Sequence, residues 1–63
     1  MKTQNKTTPA KLSKELYKLS QKMEKLGLKM EYYGGFGEIG KHGRELVGAS
    51  VIARGWADEI NLK

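Results

Sequence analysis

The chain has 63 residues, no cysteine, a single histidine and a net charge of +5. A chain of this length forms one small domain and buries only about 60% of the surface its unfolded form exposes, so its stability alone is marginal. Without cysteine there are no disulfide staples or thiolate metal sites, and His42 stands alone as an imidazole ligand, so no metal or other cofactor is expected. Oligomerisation is the remaining route by which domains this small are stabilised, and a homodimer is the expected form.

The charge is uneven along the chain. Residues 1–30 hold eight lysines against Glu15 and Glu24, whereas residues 31–63 hold Lys41, Arg44, Arg54 and Lys63 against five acidic residues. The basic character therefore belongs to one face of the first half and is not a property of the whole chain. Residues 1–8 read as a flexible polar leader without the apolar run of a signal peptide, and residues 9–63 as a single small helical domain. The longest later apolar run, Val51-Ile52-Ala53, is far short of the ~20 residues that span a bilayer. A cytoplasmic protein that does not bind membranes is the expectation.

Thr8-Pro9 is a helix start: threonine caps, and proline tolerates the first helical position because its missing N–H has no partner there. From Pro9 the apolar residues Leu12, Leu16, Leu19, Met23 and Leu26 step by four and three, while Lys11, Lys14, Lys18, Lys22 and Lys25 step beside them. At about 100° per residue each set covers an arc of roughly 80°, with centres about 120° apart. Gly27 matches the left-handed position after a helix, which predicts an end at Leu26-Gly27-Leu28 and a helix of about 27 Å.

Leu28, Met30 and Tyr32 then alternate with Lys29 and Glu31, the period of a half-buried strand. With Gly34-Gly35 as a two-residue turn, residues 28–39 read as a short β-hairpin or a glycine-rich extended segment. A second helix is predicted from Lys41 or Arg44 to Ile60, with an apolar arc of roughly 140° formed by Leu46, Ala49, Ile52, Ala53, Trp56, Ala57 and Ile60. Ala49, Ala53 and Ala57 make a groove into which Leu16, Leu19 and Met23 fit, with Leu46 and Trp56 completing the core. The fold class is thus mainly α, an antiparallel two-helix hairpin that self-associates. Val47, Val51, Gly48 and Gly55 lie off the main arc, and are the candidate self-association surface.

Several patterns bear on chemistry. Gly35, Gly37 and Gly40 match G-x-G-x-x-G, but only 23 residues follow, too few for the βαβ unit that gives this pattern a pyrophosphate. The bare Gly37-Glu38-Ile39-Gly40 also fits the GXXG of KH-type RNA binders, without the sheet and third helix that frame it. Ser50, His42 and Asp58 are spaced by eight on one helix, which turns each about 80° from the next, so they diverge. No enzyme activity and no small-molecule substrate are expected. Tyr32, Tyr33 and Phe36 cluster at the double glycine and suit either core completion or an interface anchor. The lysine row suits a solvated face, an acidic protein partner or nucleic acid; all its members are lysine, whereas arginine does most direct base reading. The reading favours a small non-enzymatic protein that docks on a larger macromolecule, a protein before a nucleic acid, and modulates or inhibits it. Compact basic proteins of this kind are common among phage and mobile-element accessory factors. The alternative is a sequence-tolerant nucleic-acid binder that uses the lysine row.

Overall fold

The computed structural model describes residues 7–61; most of the leader expected at residues 1–8 lies outside them. Two long helices, α1 (Pro9–Gly34) and α2 (Glu38–Asn61), pack against each other, and no strand occurs among the described residues. The start of α1 follows the local cues. The Thr8 hydroxyl accepts the Lys11 amide at 3.2 Å, its carbonyl accepts Leu12 N–H at 3.0 Å, and Pro9 occupies the first turn.

The predicted end of α1 is corrected. The helix continues through Gly27 for another two turns, so the segment read as a strand or extended linker is helical as far as Gly34. Among the described residues Gly35 is the one with positive φ (56°), and its N–H donates to the Glu31 carbonyl at 2.9 Å to close the helix. Gly37 then donates to Gly34 O at 2.9 Å and accepts Lys41 N–H at 3.0 Å, which starts α2 at Glu38 rather than at Lys41 or Arg44. Arg44 Nη1 donates to Gly35 O at 3.1 Å and pins the turn from the second helix.

Gly27 is needed for a reason other than capping. It is buried in the helix–helix seam, where a methyl group would lie 2.7 Å from Val47 Cγ2 and 2.8 Å from the Gly43 carbonyl oxygen. Across from it, a methyl on Gly43 would lie 2.5 Å from Gly27 O and 2.6 Å from Glu31 N. The two backbones are therefore in direct contact. The seam repeats this choice of small residues every seven positions: Ser13, Ser20, Gly27 and Gly34 on α1, and Gly43, Ser50 and Ala57 on α2. A seven-residue repeat keeps the same stripe turned toward the partner along the whole pair. Ser20 and Ser50 are fully buried, and their hydroxyls donate to Tyr17 O at 2.7 Å and Val47 O at 2.6 Å, so neither leaves an unpaired polar group. Ser13 Oγ donates to Ala57 O at 2.8 Å and ties the open end.

The predicted core is corrected in consequence. Leu16, Met23 and Leu46 are half-buried, but Leu19 and Trp56 are more than half exposed, and Ala53 and Ala57 are the buried hydrophobic residues. The alanine groove does receive α1, but through serines and glycine; the leucines stand beside the seam rather than in it. Positions three and six after each seam residue fall on the same broad side of both helices, because the helices run in opposite directions. Leu12, Leu16, Leu19, Met23, Leu26 and Met30 therefore share a face with Leu46, Ala49, Ala53, Trp56 and Ile60, and Leu12, Leu16, Leu19 and Ile60 line one groove on it. The opposite face carries the Arg54–Glu24 ion pair at 2.8 Å, whose half-exposed partners contribute at most about 1 kcal/mol. Among the described residues, no helix is long and apolar enough to cross a membrane.

The seam makes opposite predictions for chemically identical substitutions. Gly43→Ala is expected to destabilise by about 1–3 kcal/mol despite alanine's better helix propensity, because the methyl meets backbone that cannot yield. Gly48→Ala, whose new methyl would meet nothing within 4 Å beyond the adjacent backbone of its own helix, is expected to stabilise by up to about 1 kcal/mol. Urea unfolding followed by circular dichroism checks both, and stabilisation by both would refute the close-packed seam.

Candidate functional site

The helix extension places Tyr32, Tyr33 and Phe36 at the closed end of the hairpin, on and just beyond the last turn of α1. Tyr32 is 96% exposed, Tyr33 84% and Phe36 100%, so none of them completes a core. They do not hang on a loose connection. The capping bond from Gly35, the Gly37–Gly34 bond and the Arg44–Gly35 bond hold the backbone between them. Leu28, Tyr32, Gly35, Phe36 and Arg44, with the polar Lys29 and Glu31 at the margin, line an open groove of about 610 Å³. Apolar ring faces flank it, and charges of both signs border it. Leu28 and Arg44 were not among the residues singled out from sequence. A helical continuation past Gly27 brings Leu28 one turn below Tyr32, and the i, i+4 spacing was the available signal.

The lysines remain solvent-exposed. Lys11, Lys18, Lys22 and Lys25, now joined by Lys29, run along the outward side of α1, while Lys14, together with Lys18, borders a separate groove with Ser13, Tyr17, Asp58 and Asn61. None of these lysines forms an ion pair among the described residues. Glu38, Glu45 and Glu59 recur along the outer side of α2, with the exposed Lys41 among them. His42 sits between two of them, with Nδ1 2.8 Å from Glu45 Oε1 and Nε2 3.2 Å from Glu38 Oε1. The hydrogen bond to Glu45 raises the His42 pKa above its ordinary value, and the same bond lowers that of Glu45.

The residues expected to mediate self-association separate. Val47 is half-buried against Gly27 in the seam, so it serves the hairpin itself. Val51 is exposed on the side of the Arg54–Glu24 pair, and Gly48 and Gly55 lie on the outer edge of α2 with open space around them. Val47 is thus set apart from the exposed Val51, Gly48 and Gly55. Ser50 is sealed in the seam, His42 is held by glutamates, and Asp58 borders the groove near Tyr17, so these three are on different sides of α2. The amides of Gly35 and Gly37 are spent on carbonyls within the turn and are not directed outward as a phosphate cradle. Among the described residues, no three His, Asp or Glu side chains are grouped so as to hold a metal ion. No family model, curated protein or solved structure matches this chain.

His42 is expected to titrate above its ordinary 6.5, and Glu45→Gln to bring it back down. Because the folded pKa is raised, the contribution of this contact is fully present below the unfolded pKa and is lost as pH rises through the folded one. An NMR titration of the imidazole resonances checks the direction, and a folded pKa at or below the ordinary value would refute the Glu45 contact.

Proposed function

We propose that the protein is a non-enzymatic docking module that binds a larger protein through its aromatic turn and modulates that protein by occluding part of its surface. The observation that carries this reading is the near-complete exposure of Tyr32 and Phe36 on a backbone held by hydrogen bonds from both helices. Exposed aromatics cost solubility, and a fixed backbone lowers the entropy lost when they are buried by a partner. Aromatic anchors beside a groove with an arginine are the composition from which binding hot spots are built. The mixed charge of Lys29, Glu31 and Arg44 around the groove suits a protein surface better than a uniformly anionic phosphate backbone.

A second reading, nucleic-acid binding, is favoured by one observation: the unpaired lysine edge of α1, which from Lys11 to Lys29 extends about 27 Å. Such an edge neutralises phosphates and gives affinity that falls steeply with salt. Glu15 interrupts the same outward side, and no arginine lies on it.

Affinity capture from native lysate treated with nuclease tests the first reading. The unaltered chain is expected to retain a protein at stoichiometric level, and Tyr32→Ser/Phe36→Ser to lose it by about tenfold or more while keeping its helicity, since both side chains are solvent-exposed. Capture that survives the double substitution would contradict the docking role of the turn. For the second reading, duplex and single-stranded oligonucleotides are titrated at about 50 and 200 mM salt, and affinity is expected to fall by about tenfold or more. An affinity indifferent to salt would exclude the lysine edge as a phosphate-binding surface.

A further inference from the structure

We infer that the broad apolar face of the hairpin is covered by a second copy of this chain, related by a two-fold axis parallel to the helices, to form a four-helix bundle. This goes beyond the docking role proposed for the turn and does not depend on it, because the leucine face and the aromatic groove lie on different sides of the pair and share only Lys29 at their border.

The small-residue seam creates the need. It joins the helices but leaves the large side chains outside, with Leu12 47%, Leu19 51%, Leu26 53% and Trp56 55% exposed on one side of the pair. Helical elements are stable when each apolar face is laid against another, and here the second layer is missing. The face runs about 27 Å from Leu12 to Met30 and is two helices wide, at roughly 10 Å each, of the order of 500 Å² in projection. The accessible area it would bury approaches the ~800 Å² per partner of a specific interface, and it is large for a patch left open on a monomer.

Charge identifies the occupant and its orientation. Along α1 the apolar face is bordered by Lys22 and Lys29, with Glu15 toward the open end; along α2 it is bordered by Glu38, Glu45 and Glu59. Two hairpins can stack face to face in two symmetric ways. A two-fold axis across the helices lays each helix on its own copy, which sets the three glutamates against the same three. A two-fold axis along the helices lays α1 on the α2 of the second copy, which sets the basic border against the acidic one at both edges. Residues 13 and 57 are opposite each other in the hairpin, as are 27 and 43. By that register Lys29 falls between Glu38 and Glu45 of the second copy. Glu15 faces Glu59 there, and Lys29 is level with the exposed Lys41 between those two glutamates, so the arrangement carries like charges at these two places as well. Like charges brought together at an interface select against the wrong pairing, so the parallel axis is the one adopted. It also places both aromatic turns at the same end of the bundle.

The test is the solution mass of the full chain and of five variants, by light scattering and sedimentation equilibrium up to about 100 µM, with circular dichroism to verify helicity. A dimer is expected, at twice the 7.1 kDa of the chain. Leu19→Glu/Leu26→Glu is expected to give a helical monomer. Lys22→Glu/Lys29→Glu and Glu38→Lys/Glu45→Lys are each expected to weaken the dimer by about tenfold at low salt, and the chain carrying all four changes to recover most of that loss. Glu15→Lys is expected to tighten it. A monomer or a larger assembly from the unaltered chain overturns the inference. So does a dimer that either charge-reversed pair leaves unchanged, or one that the fourfold exchange does not restore, because both results belong to the crosswise axis or to another face. The charge variants alter exposed side chains, so they remain decisive if the leucine variant does not fold.

Discussion

The contact between the Gly27 and Gly43 backbones is the constraint on which the rest of this molecule depends. Neither position has room for a methyl group, and the seven-residue repeat that contains them uses serine, glycine or alanine, with Val47 packed beside Gly27. Close approach of this kind replaces side-chain burial by backbone contact. It is compatible with long helices because the seven-residue spacing keeps the stripe in line. The hydroxyls it buries at Ser20 and Ser50 are satisfied within their own helices, so they add no demand on the partner helix.

Everything outside the seam follows from what it displaces. Residues with enough bulk to form a core are pushed to the broad faces and the closed end, which makes the hairpin a carrier of surfaces with little interior. The apolar face, the aromatic turn, the basic edge of α1 and the glutamate-bearing edge of α2 differ in chemistry, and Lys29 belongs both to the basic edge and to the groove beside the turn. The polar groups of the described residues are spread along two rods.

Much of the architecture was legible in the residues. The cap at Thr8-Pro9 acts through atoms three residues apart and needs no tertiary context, and the element order and the outward lysine row followed from period alone. The core assignment failed at Leu19 and Trp56 because hydrophobicity says that a side chain prefers burial, not that a partner surface exists for it within the chain. Val47 was legible as lying off the main apolar arc, whereas its place in the seam was not, because that depends on Gly27 of the other helix. At the candidate site the aromatic cluster was legible as a group, whereas its exposure and its groove with Leu28 and Arg44 were not, because both depend on where α1 ends.

Gly27 marks the boundary between what sequence determined and what tertiary structure decided. A glycine after an amphipathic run satisfies two different requirements, a left-handed cap and a close helix contact, and local pattern cannot distinguish them. Only the position of Gly43 across the seam selects the second, and with it the helical course of residues 28–34 that had alternated like a strand. The sequence by itself determined two amphipathic helices, their order, their charge asymmetry and the small residues that let them meet. Tertiary structure decided which glycine ends the first helix, which face the leucines occupy and where the aromatics stand, because each of those depends on a backbone contact between residues far apart in the chain.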